Sequence, residues 1–312
     1  SQASVGNYSY LASYNTSVYP FGISNGNQTA LVSSTLANPY IHWEEVAQTN
    51  IGFDASLFNS RVMFSFDAYL KETRDMLVKA SIPITSGFED TTTTYTNAGK
   101  VRNQGIEMSL HTINLTGELG WETNLTATYN KNKIKDLNSD VPYYINQINN
   151  SYVTMLAKDY PINVFYGYVT DGIFQNQSEV NTHAVQPGAE PGDIRFIDQN
   201  GDGMLDTNDR VKVGSGTPKV SLGFNINLAY KDFDLVANFY GDFGAKRYNY
   251  TKYQLERMDH VFNYGKNALN AWTPENPDTD IPRAVSGDPN KNSRTSTRFV
   301  ENGDYLRLNN LQ

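Results

Sequence analysis

The segment 198–209 has the residue types and the spacing of a metal-binding loop. It reads Asp-Gln-Asn-Gly-Asp-Gly-Met-Leu-Asp-Thr-Asn-Asp, with acidic or amide side chains at its first, third, fifth, ninth and twelfth positions. Calcium loops place oxygen ligands at these positions, with glycine at the sixth and a backbone carbonyl at the seventh. The pattern therefore predicts a calcium site whose ligands are Asp198, Asn200, Asp202, Asp206, Asp209 and the carbonyl of Met204.

The last position of this segment departs from the usual pattern. Asp209 stands where such loops normally carry a bidentate glutamate, and the shorter side chain would weaken calcium binding or admit Mg²⁺. No helical pattern flanks the segment, so we expect an ion with a structural role rather than a calcium sensor. The alternative is an acidic turn that holds no metal, because Gly and Asp are common turn residues in any loop.

Other reactive residues form no recognisable catalytic pattern. The histidines lack serine or carboxylate neighbours in a hydrolase arrangement: His42, His111, His183 and His260. Gly214-Ser215-Gly216 lacks the spacing of a nucleophile elbow. A glycoside hydrolase using two carboxylates from Asp67, Glu107 and Asp234 is the weakest class considered, since each of these residues is also explained by facing water. We therefore expect that the protein is not an enzyme.

Composition excludes several other classes of function. Asp and Glu number 33 against 25 Lys and Arg, a net charge of −8, and no basic stripe suggests a nucleic-acid partner. The absence of cysteine excludes disulfides and thiolate metal sites. The mean hydropathy is −0.53, yet Tyr (21) and Phe (15) are abundant, which is unlike a disordered chain. No apolar run approaches the about 20 residues of a membrane helix.

Alternating apolar and polar residues predict the strands that must position these side chains. Successive side chains of a strand face opposite sides of a sheet, so one face of each strand here is apolar and the other polar. The alternating stretches are 50–57, 64–71, 105–111, 121–130, 220–228, 233–240 and 305–311. The polar set Glu107, Asn124, Asn225, Asn227 and Asp234 fits a hydrated lumen, and Trp121, Tyr230 and Phe233 fit an aromatic girdle on a lipid face.

The connections between these strands are of two kinds. Short polar turns at Phe58–Ser60, Asn114–Glu118 and Lys231–Asp232 join the strands in pairs. Long connectors separate the pairs: 80–101, 134–218 and 243–303. This asymmetry predicts part of a large antiparallel transmembrane β-barrel with short periplasmic turns and long extracellular loops. A soluble antiparallel sandwich is the alternative that alternation alone would allow.

Aromatic residues are frequent in the predicted loops. They are Tyr143, Tyr144, Tyr166, Tyr168, Tyr248, Tyr250, Tyr253 and Trp272. Such rings could stack on sugars, pack the loops together or face a protein partner. The connector 134–218 carries the calcium-type motif, so we expect the ion to pin this long loop.

Five phrases of the sequence resemble the SusC/RagA-like family of TonB-dependent outer-membrane transporters. They occur in the order of the family: Asn38-Pro39-Tyr40-Ile41-His42-Trp43-Glu44 with Asn50–Asp54, Ala98–Glu107, Phe165–Tyr168 with Asp171–Gln175, Pro191–Phe196 with Asp198–Gly203, and Asn302–Asn310. The resemblance covers residue 38 to the end. It implies that 1–312 is the C-terminal portion of a barrel of about 22 strands, cut from a longer chain without its plug domain.

The resemblance also implies a function and partners. Such proteins lie in the outer membrane of Bacteroidetes-type bacteria, are energised through TonB and work with a SusD-like lipoprotein. Their cargo is oligosaccharide or peptide, and these 312 residues alone could transport nothing. The competing hypothesis is a secreted or surface calcium-stabilised glycan-binding protein of the adhesin kind.

Overall fold

The computed structural model describes residues 10–21, 26–81, 93–137, 142–148, 151–259 and 263–312. The strands are β1 (Ser13–Phe21), β2 (Gly26–Thr35), β3 (Glu45–Leu57), β4 (Val62–Ser81), β5 (Thr93–Leu115), β6 (Leu119–Asp136), β7 (Tyr143–Ile148), β8 (Ser151–Leu156), β9 (Val164–Gly167), β10 (Thr170–Ile173), β11 (Ile194–Phe196), β12 (Val211–Ser215), β13 (Val220–Tyr230), β14 (Phe233–Phe243), β15 (Lys246–Tyr248), β16 (Val300–Asn302) and β17 (Tyr305–Leu311). Two short helices are α1 (Gln177–Thr182) and α2 (Tyr250–Glu256), and 3-10 turns lie at Thr207–Asp209, Lys266–Asn270 and Thr297–Phe299. The chain is therefore all-β in class, as predicted.

A seven-stranded antiparallel sheet forms the largest element, in the order β17-β14-β13-β6-β5-β4-β3. Its register aligns residues of like polarity across the strands. One polar row consists of His111, Asn124, Asn225, Asn238 and Asn310. One apolar row consists of Phe66, Met108, Ala127 and Leu222. The two faces predicted from the alternation are thus continuous surfaces of the sheet.

The turns at one edge of the sheet are short, as predicted. Residues 58–61 join β3 to β4, and Phe58, Asn59 and Ser60 all have positive φ. Residues 231–232 join β13 to β14. The turn predicted at 114–118 is shorter than expected, because β5 continues to Leu115 and β6 begins at Leu119.

The connector predicted at 80–101 is wrong in its bounds. β4 continues to Ser81 and β5 begins at Thr93, and 82–92 lie outside the described residues. β4 has 20 residues and β5 has 23, against the about 9–11 that a strand needs to cross a bilayer. Both strands are therefore longer than a bilayer crossing requires, and their pairing continues in the outer parts after an irregularity between Thr73 and Leu77. The hairpin β1–β2 was not predicted either, since its polar residues occur on both faces.

The two long connectors fold together into one assembly. The first loop segment, 137–219, contains the sheet β12-β9-β8-β7 and the pair β10–β11. The second loop segment, 244–304, meets it at Tyr168, which pairs with Ser296, and at Thr170, whose hydroxyl lies 2.8 Å from that of Thr297. We call these two segments the loop assembly.

A buried cluster fixes the loop assembly to strands β4, β5 and β6 of the large sheet. Val78, Val101 and Ile134, from the outer ends of β4, β5 and β6, pack with Leu137 and Leu156 of the first loop segment. The buried apolar clusters therefore lie at the outer ends of β4, β5 and β6 and within the loop assembly.

Among the residues that the structure describes, no helix has both the length and the apolar character that would let it cross a membrane.

Candidate functional site

The acidic segment 198–209 begins with a tight, self-bonded turn. The Asp198 carboxylate accepts hydrogen bonds from the backbone N–H groups of Gly201 (2.7 Å) and Gly203 (2.8 Å). Asn200 Oδ1 accepts from the N–H of Asp202 (3.0 Å). Gly201 and Gly203 have φ of +72° and +84°, which L side chains rarely adopt. The N–H groups of Gly203 and then Gly201 lower the pKa of Asp198.

The end of the segment closes onto its beginning through a buried carboxylate. Asp209 is fully buried, and it accepts from the N–H groups of Gln199 (2.8 Å) and Asp206 (2.7 Å). Asp206 in turn accepts from the N–H of Asn208 (2.6 Å) and caps the 3-10 turn. This reciprocal capping box satisfies donors at the start of the turn. The short Asp209 side chain thus has a structural role that the sequence pattern did not reveal.

The side chains that are predicted as metal ligands accept hydrogen bonds from backbone N–H groups. Within the described ranges, no three side chains of His, Cys, Asp or Glu gather as a metal site. The predicted set also includes the amide of Asn200 and the carbonyl of Met204, and a carboxylate oxygen that accepts one hydrogen bond retains a further lone pair. Calcium at Asp198, Asn200, Asp202, Met204, Asp206 and Asp209 remains a prediction.

The middle of the acidic segment packs against the rest of the loop assembly. Leu205 is buried and packs with Ile194 and Phe196. Val185 pairs with Met204, the residue before Leu205: its N–H donates to the carbonyl of Gly203 (2.8 Å), and its carbonyl accepts from the N–H of Leu205 (2.9 Å). The turn is therefore held by apolar packing and backbone pairing as well as by its own hydrogen bonds.

A fully buried carboxylate, Asp193, joins the two loop segments. Arg283 binds it with two hydrogen bonds of 3.0 Å, and Asn292 donates to it at 2.8 Å. The Asp193 carboxylate raises the pKa of Arg283. The preceding Gly192 has a φ of +91°, and a Cβ there would lie 2.4 Å from the Trp272 ring. The residues Gly192 and Asp193 of the segment Pro191–Phe196 therefore have structural roles.

A cavity of about 940 Å³ lies between the two loop segments. Its wall includes three tyrosines and three arginines: Tyr168, Tyr248, Tyr253, Arg210, Arg257 and Arg294. Asp206 and Thr207 of the acidic segment also line it, so this segment shapes the cavity wall. No sequence pattern predicted the arginines, because they come from distant parts of the chain.

Most of the charges around the cavity already have partners. Arg257 donates to both carboxylate oxygens of Asp259, at 2.5 and 2.8 Å. Arg294 lies over the rings of Tyr168 (4.8 Å) and Phe196 (4.5 Å), and its burial lowers its pKa. Arg210 Nε is buried and has no hydrogen-bond partner among the described residues. The wall is thus largely neutral, with polar groups between aromatic rings.

The loop aromatics mainly pack against each other. Their ring pairs include Tyr144–Tyr152, Tyr144–Tyr166, Tyr168–Phe196, Tyr248–Tyr253 and Tyr250–Tyr253. Burial raises the pKa of Tyr166 to about 12 and also raises that of Tyr248. Trp272 Nε1 donates to Gln175 at 3.0 Å. The side chain of Tyr143 lies outside the described residues, as does His260.

The other histidines are spread over the fold. His42 lies 3.5 Å from a carboxylate oxygen of Asp75, and His183 packs edge-on against Phe174. His111 belongs to the polar row of the sheet. These three do not share a site.

Residues 3–227 match the family described as TonB dependent receptor-like, beta-barrel. The chain belongs to this family. TonB-dependent receptor P26 of Formosa agariphila is 33% identical over 91% of this chain and 29% of its own length. TonB-dependent receptor SusC of Bacteroides thetaiotaomicron is 26% identical over 97% of this chain and 28% of its own length.

The receptor chain also resembles solved structures of a transporter. The RagAB peptide transporter superposes with a TM-score of 0.76 at 26% identity, over 99% of this chain and 32% of that chain. The structure of the RagAB peptide importer in its closed-closed state gives 0.75 at 27% identity, over 98% and 32%. The chain spans less than a third of the curated relatives and structures named here, so it is similar to one region of each.

Family membership assigns the seven-stranded sheet to an outer-membrane β-barrel. Its apolar face is the lipid side and its polar face the lumen side. Trp121, Tyr230 and Phe233 lie near the short turns and are exposed, in the place predicted for an aromatic girdle. The predicted recognition, fold class and outer-membrane location are confirmed.

Proposed function

We propose that the full-length receptor imports an oligosaccharide or a peptide across the outer membrane, energised through TonB. The observation that carries the proposal is the folded loop assembly above the barrel wall, with its cavity of about 940 Å³. Ligand sites are concave and combine apolar or aromatic surface with a few placed polar groups. The rings of Tyr168, Tyr248 and Tyr253 beside paired charges supply both kinds of surface.

A SusD-like lipoprotein and the TonB complex are the proposed partners, with outer-membrane lipid around the barrel. The resemblance to SusC/RagA-like transporters supports both partners. TonB would act through the N-terminal region that this family carries before the barrel. Nucleic acid is not a proposed partner, because the chain is acidic overall.

Oligosaccharide and peptide remain two candidate cargoes. Tyrosine rings suit sugar faces, and the similarity to the RagAB peptide transporter supports peptide. We propose that the cargo passes chemically unchanged, so that the receptor is not an enzyme. Mass spectrometry of the cargo before and after uptake tests this, since a shortened product would indicate turnover.

Binding by the full-length receptor in detergent tests the cavity. Thr207 is exposed and lines the cavity, so Thr207→Trp should fill it and weaken binding of the cargo class. Asn181→Trp, on the exposed surface of α1, is the matched control and should bind normally. Calorimetry with oligosaccharide and peptide mixtures should give binding to one class. Equal binding by both variants would place the cargo elsewhere.

Extraction from native membranes tests the wider assignment. We expect the receptor to need detergent and to copurify with a lipoprotein. A monomer that stays in aqueous solution would instead support the alternative of a secreted, calcium-stabilised glycan-binding protein.

We also propose that segment 198–209 binds Ca²⁺ as a structural ion. Support comes from its oxygen spacing and from the positive φ of Gly201 and Gly203. Asp202 is exposed, and Asp202→Ala should lower the calcium bound by one ion per receptor. The control is Asp171→Ala, at another exposed aspartate of the loop assembly, which should leave calcium binding unchanged. Calorimetry with Ca²⁺ and with Mg²⁺ measures both. If titration of the unsubstituted receptor with Ca²⁺ gives no heat of binding, the segment is an ordinary acidic turn.

A further inference from the structure

The lipid face of β4, β5 and β6 ends in a defined apolar row. Ala68, Ile106 and Tyr129 lie side by side across these strands. Ile106 is 38% exposed and Tyr129 is 43% exposed, on the face that the barrel turns to lipid. Tyrosine is frequent at membrane–water interfaces, because its ring is apolar and its hydroxyl is polar.

The same face becomes basic one row further from the short turns. The next row is Leu70, Gln104 and Lys131, and the one after it is Glu72, Arg102 and Lys133. Rows on one face of a strand are about 6.6 Å apart, because the rise is about 3.3 Å per residue. The side chains therefore change from apolar to cationic over a distance that is similar to the thickness of the headgroup region of a bilayer.

These cations gather into one surface, which we call the cationic collar. It consists of Lys100, Arg102, Lys131, Lys133 and Lys135. Four of the five line a single shallow depression of about 160 Å³ together with Gln104. Lys100 joins them through Glu72, which it approaches to 3.4 Å.

Three acids lie at the collar and do not neutralise its five cations: Glu72, Asp159, and Asp136, which is the register partner of Lys100. Glu72 serves Lys100 and Arg102 at 3.4 and 2.6 Å and also Arg74 at 3.7 Å. Asp159 pairs with Lys133 at 2.7 Å. Lys131 and Lys135 have no ion pair among the described residues, and Lys131 is exposed. This local excess of cations occurs in a chain whose net charge is −8.

We propose that the cationic collar binds the phosphate groups of a phosphorylated lipid in the outer leaflet. The position of the collar, directly beyond the apolar row, determines the class of ligand. A lipid whose acyl chains lie along Ile106 and Tyr129 would place its headgroup at Lys131 and Arg102. Basic surfaces at this level recognise anionic headgroups. Lysine and arginine donate charge-assisted hydrogen bonds to phosphate oxygens. The collar lies on the outside of the barrel, so it is separate from the cargo cavity.

Lipid binding by the full-length receptor tests the collar. The probe is a bisphosphorylated lipid A at low content in phosphatidylcholine nanodiscs, and native mass spectrometry measures how much stays bound. The variant is Lys131→Gln with Lys135→Gln, the two collar lysines without an ion pair. Each lysine near an anionic surface contributes about 1 kcal/mol, so binding should fall roughly tenfold or more.

Matched controls separate this site from general charge. Lys231→Gln with Lys266→Gln removes the same charge at two exposed positions outside the collar, and it should retain the lipid. The same lipid without phosphates should bind neither receptor selectively. Folding of each variant is checked by the heat-dependent mobility of the barrel in gels.

Three results would overturn the proposal. One is equal lipid retention by the collar variant and the control. Another is displacement of the lipid by millimolar inorganic phosphate without any effect of the acyl chains, which would indicate a site for free phosphate. The third is loss of the copurifying lipoprotein with the lipid retained, which would make the collar a protein interface.

Discussion

The barrel sheet and the loop assembly place their apolar side chains in opposite ways. Ile106 and Leu125, on inner strands of the sheet, are each 38% exposed, whereas Phe174, Phe196 and Phe299 of the loop assembly are fully buried. The sheet depends on lipid to cover its apolar face. The loop assembly has its own core, like a water-soluble domain, and joins its segments through buried polar groups such as Asp193. The same chain therefore needs different tests in its two regions.

The largest expected effect separates the loop assembly from the sheet. Asp193→Asn should destabilise the loop assembly by about 3–5 kcal/mol, because Arg283 would lose its buried anionic partner. Hydrogen exchange of the full-length receptor should show lost protection in 137–219 and 244–304, with the sheet unchanged. Glu190→Gln is the control, since this exposed partner of Arg283 should contribute at most about 1 kcal/mol. Equal loss of protection in the sheet would contradict the independence of the two regions.

The next effect belongs to the sheet alone. Leu125 lies between Leu110 and Phe224 on the lipid face, and Leu125→Lys should cost about 2–4 kcal/mol near the bilayer centre. Asn124→Lys, on the lumen face, should cost much less. Urea unfolding in lipid vesicles measures both. If the two variants unfold alike, the assignment of the faces is wrong.

A backbone change in the loop assembly should have a smaller effect than loss of the buried ion pair. Gly192→Ala places a Cβ against Trp272 at a φ of +91°, so we expect a loss of about 1–3 kcal/mol. Gly201→Ala has a φ of +72° but open space around its Cβ, so only the strain applies. Thermal unfolding of the two variants compares them. A larger loss from Gly201→Ala would mean that close packing at Trp272 is unimportant.

The smallest effect is a pH dependence of the acidic segment. Hydrogen bonds from Gly203 and Gly201 lower the pKa of Asp198 below its ordinary value of 3.8. A lowered folded-state pKa means that the stabilisation is present above the unfolded value and is lost as pH falls through the folded one. Exchange of the Gly201 and Gly203 amides should therefore accelerate only below about pH 4. The Asp198→Asn variant should remove this pH dependence, and its persistence there would exclude Asp198 as the cause.

The strands of the sheet could be predicted because one face of each must be apolar. The alternation at 121–130 and 220–228 gives both their existence and their facing residues. The outer part of β5 could not be predicted, since 93–101 shows no alternation of apolar and polar residues and Val101 is covered by the first loop segment. The short turns were predictable from their position between alternating stretches.

The loop assembly was predictable only in fragments. The turn at Gly201 and Gly203 follows from local spacing, but the burial of Asp209 does not. Asp193 and Arg283 lie far apart in sequence, and so do Tyr168 and Arg294 at the cavity. Such contacts arise from tertiary folding and leave no local pattern. The resemblance to a family marked Pro191–Phe196, and only the structure gives the physical reason for it.

Strands β4 and β5 continue from the barrel wall into the base of the loop assembly, and their pairing is irregular at the point between these two parts. The pairing is regular from Val62 to Thr73, is interrupted around Asp75, which has a positive φ, and resumes at Leu77. Val78, beyond the interruption, and Val101 are packed against the first loop segment. A displacement of that segment would therefore bend the two strands at this irregularity before it strains the regular ladder of the wall. Movement of the loops at the cell surface would then be taken up at this step, and the wall of the pore would keep its shape.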